Sequence, residues 1–316
     1  MDSWVDFFAD FSEVLFAHLI SPDKRLHVAY LTSAALLALW VFRREGQTRS
    51  FFSYLFDVRV WWSSSAQVDY QLIVFNSVVK VLLFGQWLAF GLHIAFWLEE
   101  FLRAQLGPAS LSLGAGELII VYTLSLTLLG DLSVYLVHRM MHAIPLLWRF
   151  HSVHHSATTM TPLTLLRLHP VELVINTCRR VCISGLLAGF FGYLSRHQVS
   201  PMTFFGVNVA TLFFFAFGAN LRHSHIPLSY WPIVEHILIS PRQHQIHHSV
   251  DPAHHHANFA SKFALWDWLF RTLRTSRECR ADLRFGLGNS EEGHSSLKAA
   301  LLGPLGLQNS DQSGAD

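Results

Sequence analysis

The sequence predicts an all-α integral membrane protein, with about four or more transmembrane helices capped by a cytosolic, helical, histidine-rich domain. Three observations lead there. The 316-residue chain is 51% hydrophobic and only 14% charged, whereas soluble domains carry about 25% charged residues. Its apolar residues gather into runs of the length that enters a bilayer. Sixteen of its 20 histidines fall between His138 and His256, many of them at helical spacing.

Taken in order, residues 1–20 set Trp4, Phe7, Phe8, Phe11 and Leu15 against Asp2, Asp6, Asp10 and Glu13, the pattern of an amphipathic helix lying on the bilayer surface. With no basic leading region, a cleaved signal peptide is not expected. A first span covers 28–42 and stops at Arg43-Arg44-Glu45. A polar, interfacial stretch with Arg59 and Ser63 to Ser65 follows, then an apolar run over 72–98 interrupted by Lys80 and Gln86. Gly107, Pro108, Gly114 and Gly116 make 106–116 a loop. Residues 117–137 are apolar around one acid, Asp131. The runs 181–194 and 204–219 flank a polar loop at 195–201 and form a helical hairpin, with Phe213 to Phe215 and Phe217 facing lipid. Residues 289–316 are expected to be a flexible tail. The resulting division is an N-terminal amphipathic and transmembrane region (1–116), a catalytic domain (117–275) and a tail (276–316). Arg43, Arg44 and Arg49 assign the end of the first span to the cytoplasm. Threading the later spans from there leaves both histidine-rich stretches on that side.

A net charge of +1 gives no reason to expect nucleic acid. Cys178, Cys182 and Cys279 form no CxxC pair, so the fold is expected not to depend on disulfides.

Three strings concentrate the chemistry: His138-x3-His142, His151-x2-His154-His155 and His244-x2-His247-His248. Residues three and four apart share a helix face, so each string gathers imidazoles. Ser240-Pro241 supplies an N-cap and a proline at the first helical position ahead of the third string. Pro145 ends the helix of the first and lets the second fold back towards it. Imidazole suits iron, zinc and copper. Eight imidazoles exceed the four that a structural zinc uses, whereas two ions of higher coordination number would use eight or nine. His223 or His225 supplies the ninth, with His223 favoured. Isolated histidines such as His93 and His197 are expected to be hydrogen-bonded core residues, and His254-His255-His256 a solvated loop.

With these strings in view, the chain resembles the membrane-bound fatty acid hydroxylase and sterol desaturase superfamily over about residues 117–275. Supporting matches are Asp131-x3-Tyr135-x2-His138-Arg139, Arg167-Leu-His169-Pro170-Val-Glu172, Ser240-Pro241, Asn258 and Trp266-Asp267-x2-Phe270. Arg271 stands where members often carry glycine. The resemblance implies a transmembrane core of four helices under a cytosolic domain with a di-iron centre. Its implied ligands are His138, His142, His151, His154, His155, His244, His247 and His248, with His223 as a further one. His169 and Glu172 would orient ligands, with Asp131 and His225 also close behind them, and Asp131, Glu172 or Asp251 would balance the charge of the metals. Members use O2 to hydroxylate or desaturate a C–H bond of a lipid. No haem-binding carrier is visible in the sequence, so electrons would come from a separate ferredoxin- or cytochrome b5-like protein. The competing readings are a histidine-rich membrane metal transporter and a metal-bound scaffold. A transporter would put polar or acidic ligands within the spans, whereas here they follow the ends of apolar runs.

Overall fold

The computed structural model describes residues 2–109, 114–195, 209–279, 282–288 and 294–307. The described chain is helical, its one β feature an isolated bridge between Ser249 and Phe285. The main helices run α1 Asp2–Ile20, α2 Val28–Arg44, α3 Phe51–Leu55, α4 Val58–Trp61, α5 Ser64–Leu106, α6 Ala115–Ala143, α7 Pro145–His155 and α8 Pro170–Leu194. Shorter ones follow: α9 Val209–Ala216, α10 Pro232–Glu235, α11 Pro241–His247, α12 Leu265–Leu269 and α13 Leu297–Leu302.

Helices α6 and α8 are long and apolar enough to cross a bilayer. Helix α5 adds a third crossing if its halves Ser64–Leu83 and Gly85–Leu106, bent by 53°, act as one broken span. The exposure pattern is that of a membrane protein. On α6, Ile120, Leu124, Leu128 and Leu136 are exposed along one stripe, while Tyr122, Asp131 and Tyr135 are buried. In water the apolar stripe would be the buried face; in lipid the order inverts. Helix α2 has 17 residues, short of the roughly 20 that cross a bilayer unaided.

Helix α8 begins at Pro170, eleven positions before the apolar run expected to start it. His169 accepts a hydrogen bond from the Val171 amide at 3.1 Å and Pro170 takes the first helical position, so the cap sets the boundary. Helices α5 and α8 pack backbone to backbone. A Cβ at Gly189 would stand 2.4 Å from the Ala95 carbonyl oxygen, so only glycine allows this approach.

Of the hairpin's second run, 209–216 is helical, and 204–208 lies outside the described residues, as do His197 and residues 110–113 of the first loop. Phe213 and Phe217 are exposed as expected, but Phe214 is buried under the Arg222 guanidinium, 4.4 Å from its ring. The expected flexible tail needs correction over 294–307. Ala300 is fully buried against Val68, Leu72 and Val153, and the Leu301 carbonyl accepts from His169 Nε2 at 3.1 Å. Leu297 and Leu301 pack on the same cluster; the apolar stretch that carries them, only six helical residues long, is too short to show a clear period. Residues 289–293 and 308–316 lie outside the described part.

Candidate metal centre

Each string sits where a helix ends or begins. His138 and His142 close α6, His151, His154 and His155 close α7, and His244 and His247 lie on α11, with His248 at its C-cap. A capping box fixes the start of α11: Ser240 Oγ accepts from the Gln243 amide at 3.2 Å, and Gln243 Oε1 from the Ser240 amide at 2.8 Å. Gln245 then donates to the carbonyls of Leu221, Ser224 and Ile226 at 2.8–3.0 Å, tying α11 to the segment that carries His223.

Nine imidazoles converge in two groups. His138, His142, His151, His155 and His247 form the first, and His154, His223, His244 and His248 the second; within each, the candidate ligand atoms lie within 4.8 Å of one another. The strings are shared between the groups. The i, i+4 pair His151 and His155 serves the first while His154 turns to the second, and His244 and His248 serve the second while His247 turns to the first. His155 and His248 stack at 4.4 Å between ring centroids, so the two groups are adjacent.

Four outer nitrogens are held, whereas those of His223 and His244 are buried without a hydrogen-bond partner. Nδ1 of His138 meets the Phe259 carbonyl at 2.8 Å, that of His247 the Ala257 carbonyl at 2.7 Å, that of His154 the Arg167 carbonyl at 3.2 Å, and that of His151 Glu172 Oε1 at 2.9 Å. In the second group the Nε2 atoms face one another at 3.1–3.3 Å, and in the first those of His138 and His247 approach to 3.0 Å. Buried Nε2 atoms of His142, His151 and His155 have no hydrogen-bond partner. Two nitrogens bound cis to one octahedral ion at about 2.1 Å would be roughly 3.0 Å apart, so these separations and orphaned atoms fit metal ligation. Burial keeps the rings neutral: His151 and His154 are pushed down to about 3, and His155, His223, His244, His247 and His248 well below their ordinary value. Neutral imidazole is the ligating form.

The remaining candidates separate. His225 lies outside both groups, its Nε2 donating to the Tyr54 carbonyl at 2.7 Å. Glu172 holds His151, whereas His169 caps α8 and anchors Leu301 without meeting a ligand histidine in the hydrogen bonds described. Asp131 also acts at a distance: its carboxylate accepts from the Lys262 and Phe263 amides and the Trp266 indole at 2.9–3.0 Å. Asp267 accepts from the Phe259 and Ala260 amides at 2.9 Å. Together they fix the loop whose carbonyls hold His138 and His247. Asp251 is exposed and caps a short turn, and His255 and His256 border a cavity at the first group rather than standing only in solvent. Arg271 has φ 59°, a left-handed conformation that explains a preference for glycine there.

Sequence reasoning missed Asp69, Gln243 and Gln245. Buried Arg167 pairs with Asp69 at 2.9 Å and donates to the Val153 and Ser65 carbonyls. Gln243 had a readable signal, three residues after a serine N-cap; Asp69, 98 positions from its partner, had none.

A helical chain with membrane-spanning candidates, whose helix ends gather two adjacent nests of buried neutral histidines, has the donor set of a histidine-cluster metal site. Residues 123–272, just under half of the chain, match the fatty acid hydroxylase family. The chain is similar to the ornithine lipid hydroxylase OlsE of Rhizobium tropici (26% identity, 46% of this chain and 39% of the relative). It is also similar to the alkylglycerol monooxygenase of Xenopus tropicalis (26%, 50% and 32%) and the cholesterol 25-hydroxylase of Homo sapiens (29%, 54% and 58%). The matches thus span between about a third and three fifths of these relatives' lengths. No solved structure matches the chain.

Proposed function

We propose that this chain is a membrane-bound, non-haem oxygenase that holds two iron ions and uses O2 to hydroxylate or desaturate a C–H bond of a lipid. The observation that carries this reading is the division of nine inward-facing imidazoles into groups of five and four. A six-coordinate ion held by five imidazoles keeps one position open, and one held by four keeps two. Iron bound there supplies the redox chemistry that activates O2; imidazole ligands suit it, and the family supports it over zinc or copper.

The chain's own residues do the rest. His138, His142, His151, His155 and His247 would hold one ion, and His154, His223, His244 and His248 the other. Glu172 and the carbonyls of Arg167, Ala257 and Phe259 fix ring orientation, which strengthens such ligands. Ionised in the presence of bound metal, the buried Glu172 carboxyl would also offset part of the charge that all-imidazole ligation leaves uncompensated. All three relatives are named for acting on lipids, which supports a lipid here.

Four or more spans, with α2 and the bent α5 joining α6 and α8, would present this centre on the cytoplasmic side, as the arginines after α2 suggest. Residues 117–275 would be the catalytic domain, and a separate ferredoxin- or cytochrome b5-like protein the electron donor. The test supplies the purified, iron-loaded protein with a chemical reductant, O2 and a membrane lipid extract. The expected result is a lipid gaining one oxygen or losing two hydrogens, abolished in His154→Ala. Absence of any O2-dependent product from a fully iron-loaded protein would overturn the reading.

A further inference from the structure

A cavity of about 580 Å³ opens against the first histidine group, where His142 and His155 form part of its wall. That volume lies within the range of small-molecule sites. The described residues lining it include no acid. Arg149, exposed on α7, contributes a permanent positive charge, and His255 and His256 add ring N–H donors. The other side comes from beyond residue 272, where the family match ends: Gly286, Leu287, His294, Gly303 and Pro304. This wall is anchored. Ser152 Oγ meets His294 Nε2 at 3.1 Å, the His294 carbonyl accepts from Arg167 at 3.3 Å, and Ala300 is fully buried.

We infer that this cavity takes the anionic head group of an amphiphilic substrate, with Arg149 as its counter-charge and Gly286, Leu287, His294, Gly303 and Pro304 as the wall that shapes selection in this chain. The inference rests on the reading of the histidine groups as the oxygenase centre. A guanidinium offers paired N–H donors that match a carboxylate or phosphate. Among the described lining residues no acid offsets that charge, so an anionic head group gains an attraction there that a neutral one lacks. The volume suits a head group rather than a protein, since protein partners need a broad face of about 800 Å².

The test is equilibrium binding of hexadecanoate, its methyl ester and hexadecyl phosphate to the purified full-length protein in a single detergent. The wild type is expected to bind at least one anion about tenfold more tightly than the ester. Arg149→Gln should abolish that preference while leaving ester affinity unchanged, and Arg149→Lys should retain part of it. His256→Asp, at an exposed wall position, should weaken anion binding selectively and serves if Arg149→Gln does not fold. Whichever anion is preferred identifies the head group as carboxylate or phosphate. Equal affinity for ester and both anions in the wild type, or a preference that survives both Arg149→Gln and His256→Asp, would overturn the inference. Iron content of the same preparations separates the two readings. A preference without iron sinks the oxygenase and keeps the anion site, while iron without a preference does the reverse.

Discussion

Each histidine of the cluster has two ring nitrogens, and in His138, His151, His154 and His247 the group that holds the outer one decides where the inner one points. For His151 that holder is Glu172, at 2.9 Å and buried with it. Replacing the carboxyl with an amide in Glu172→Gln keeps the shape but removes the group whose ionisation beside bound metal would raise ligand basicity. Iron affinity should fall about 10- to 100-fold, measured by metal titration of the purified protein; an unchanged affinity would mean that Glu172 serves only packing. At this scale the sequence was legible in kind but not in allocation. Spacing gathered His151, His154 and His155, yet neighbours on a helix are about 100° apart around its axis, so His154 and His155 address different groups. The carbonyls of Arg167, Ala257 and Phe259 carry no side-chain signature at all. His223 could be separated from His225 only once Tyr54, far off in sequence, was seen to occupy the latter.

Helices position these rings because a few buried polar residues lock their ends. Arg167 is the main lock: it joins α5 through Asp69 and Ser65, α7 through Val153, and the C-terminal segment through His294. Asp69→Asn would leave a buried guanidinium without its counter-charge, at a cost of about 3–5 kcal/mol. The expected outcome is a clear drop in the thermal midpoint of the metal-free protein; a midpoint within a degree of wild type would show that backbone carbonyls alone satisfy Arg167. Element boundaries were readable where capping chemistry marks them, as at Ser240-Pro241 and Pro145. They were not where an apolar run and a helix differ in length: α8 starts at Pro170, and α5 runs from Ser64 to Leu106 through the polar stretch that precedes its apolar part. The contact between Gly189 and Ala95 depends on how two distant helices cross, which local sequence does not encode.

For the whole molecule, gathering neutral histidines in a dry interior couples folding to pH. His151 and His154 have their folded values lowered from 6.5 to about 3 by burial. Between those values the unfolded chain binds protons that the folded chain refuses, so stability rises with pH. The contribution is fully present above 6.5 and is lost as pH falls from there towards 3. Thermal unfolding of the metal-free protein across that window should record a falling midpoint, and a flat profile would contradict the buried, neutral state of the cluster. Bound metal should oppose the loss, because ligation competes with protonation.

The central claim is that the two histidine groups each hold an iron. Metal analysis of iron-loaded protein, with His223→Ala and His225→Ala alongside, tests it most directly. Two irons per chain are expected in the wild type, with loss of about one in His223→Ala, whose imidazole belongs to the smaller group of four, and full occupancy in His225→Ala. One metal per chain in the wild type, or equal loss in both variants, would contradict it.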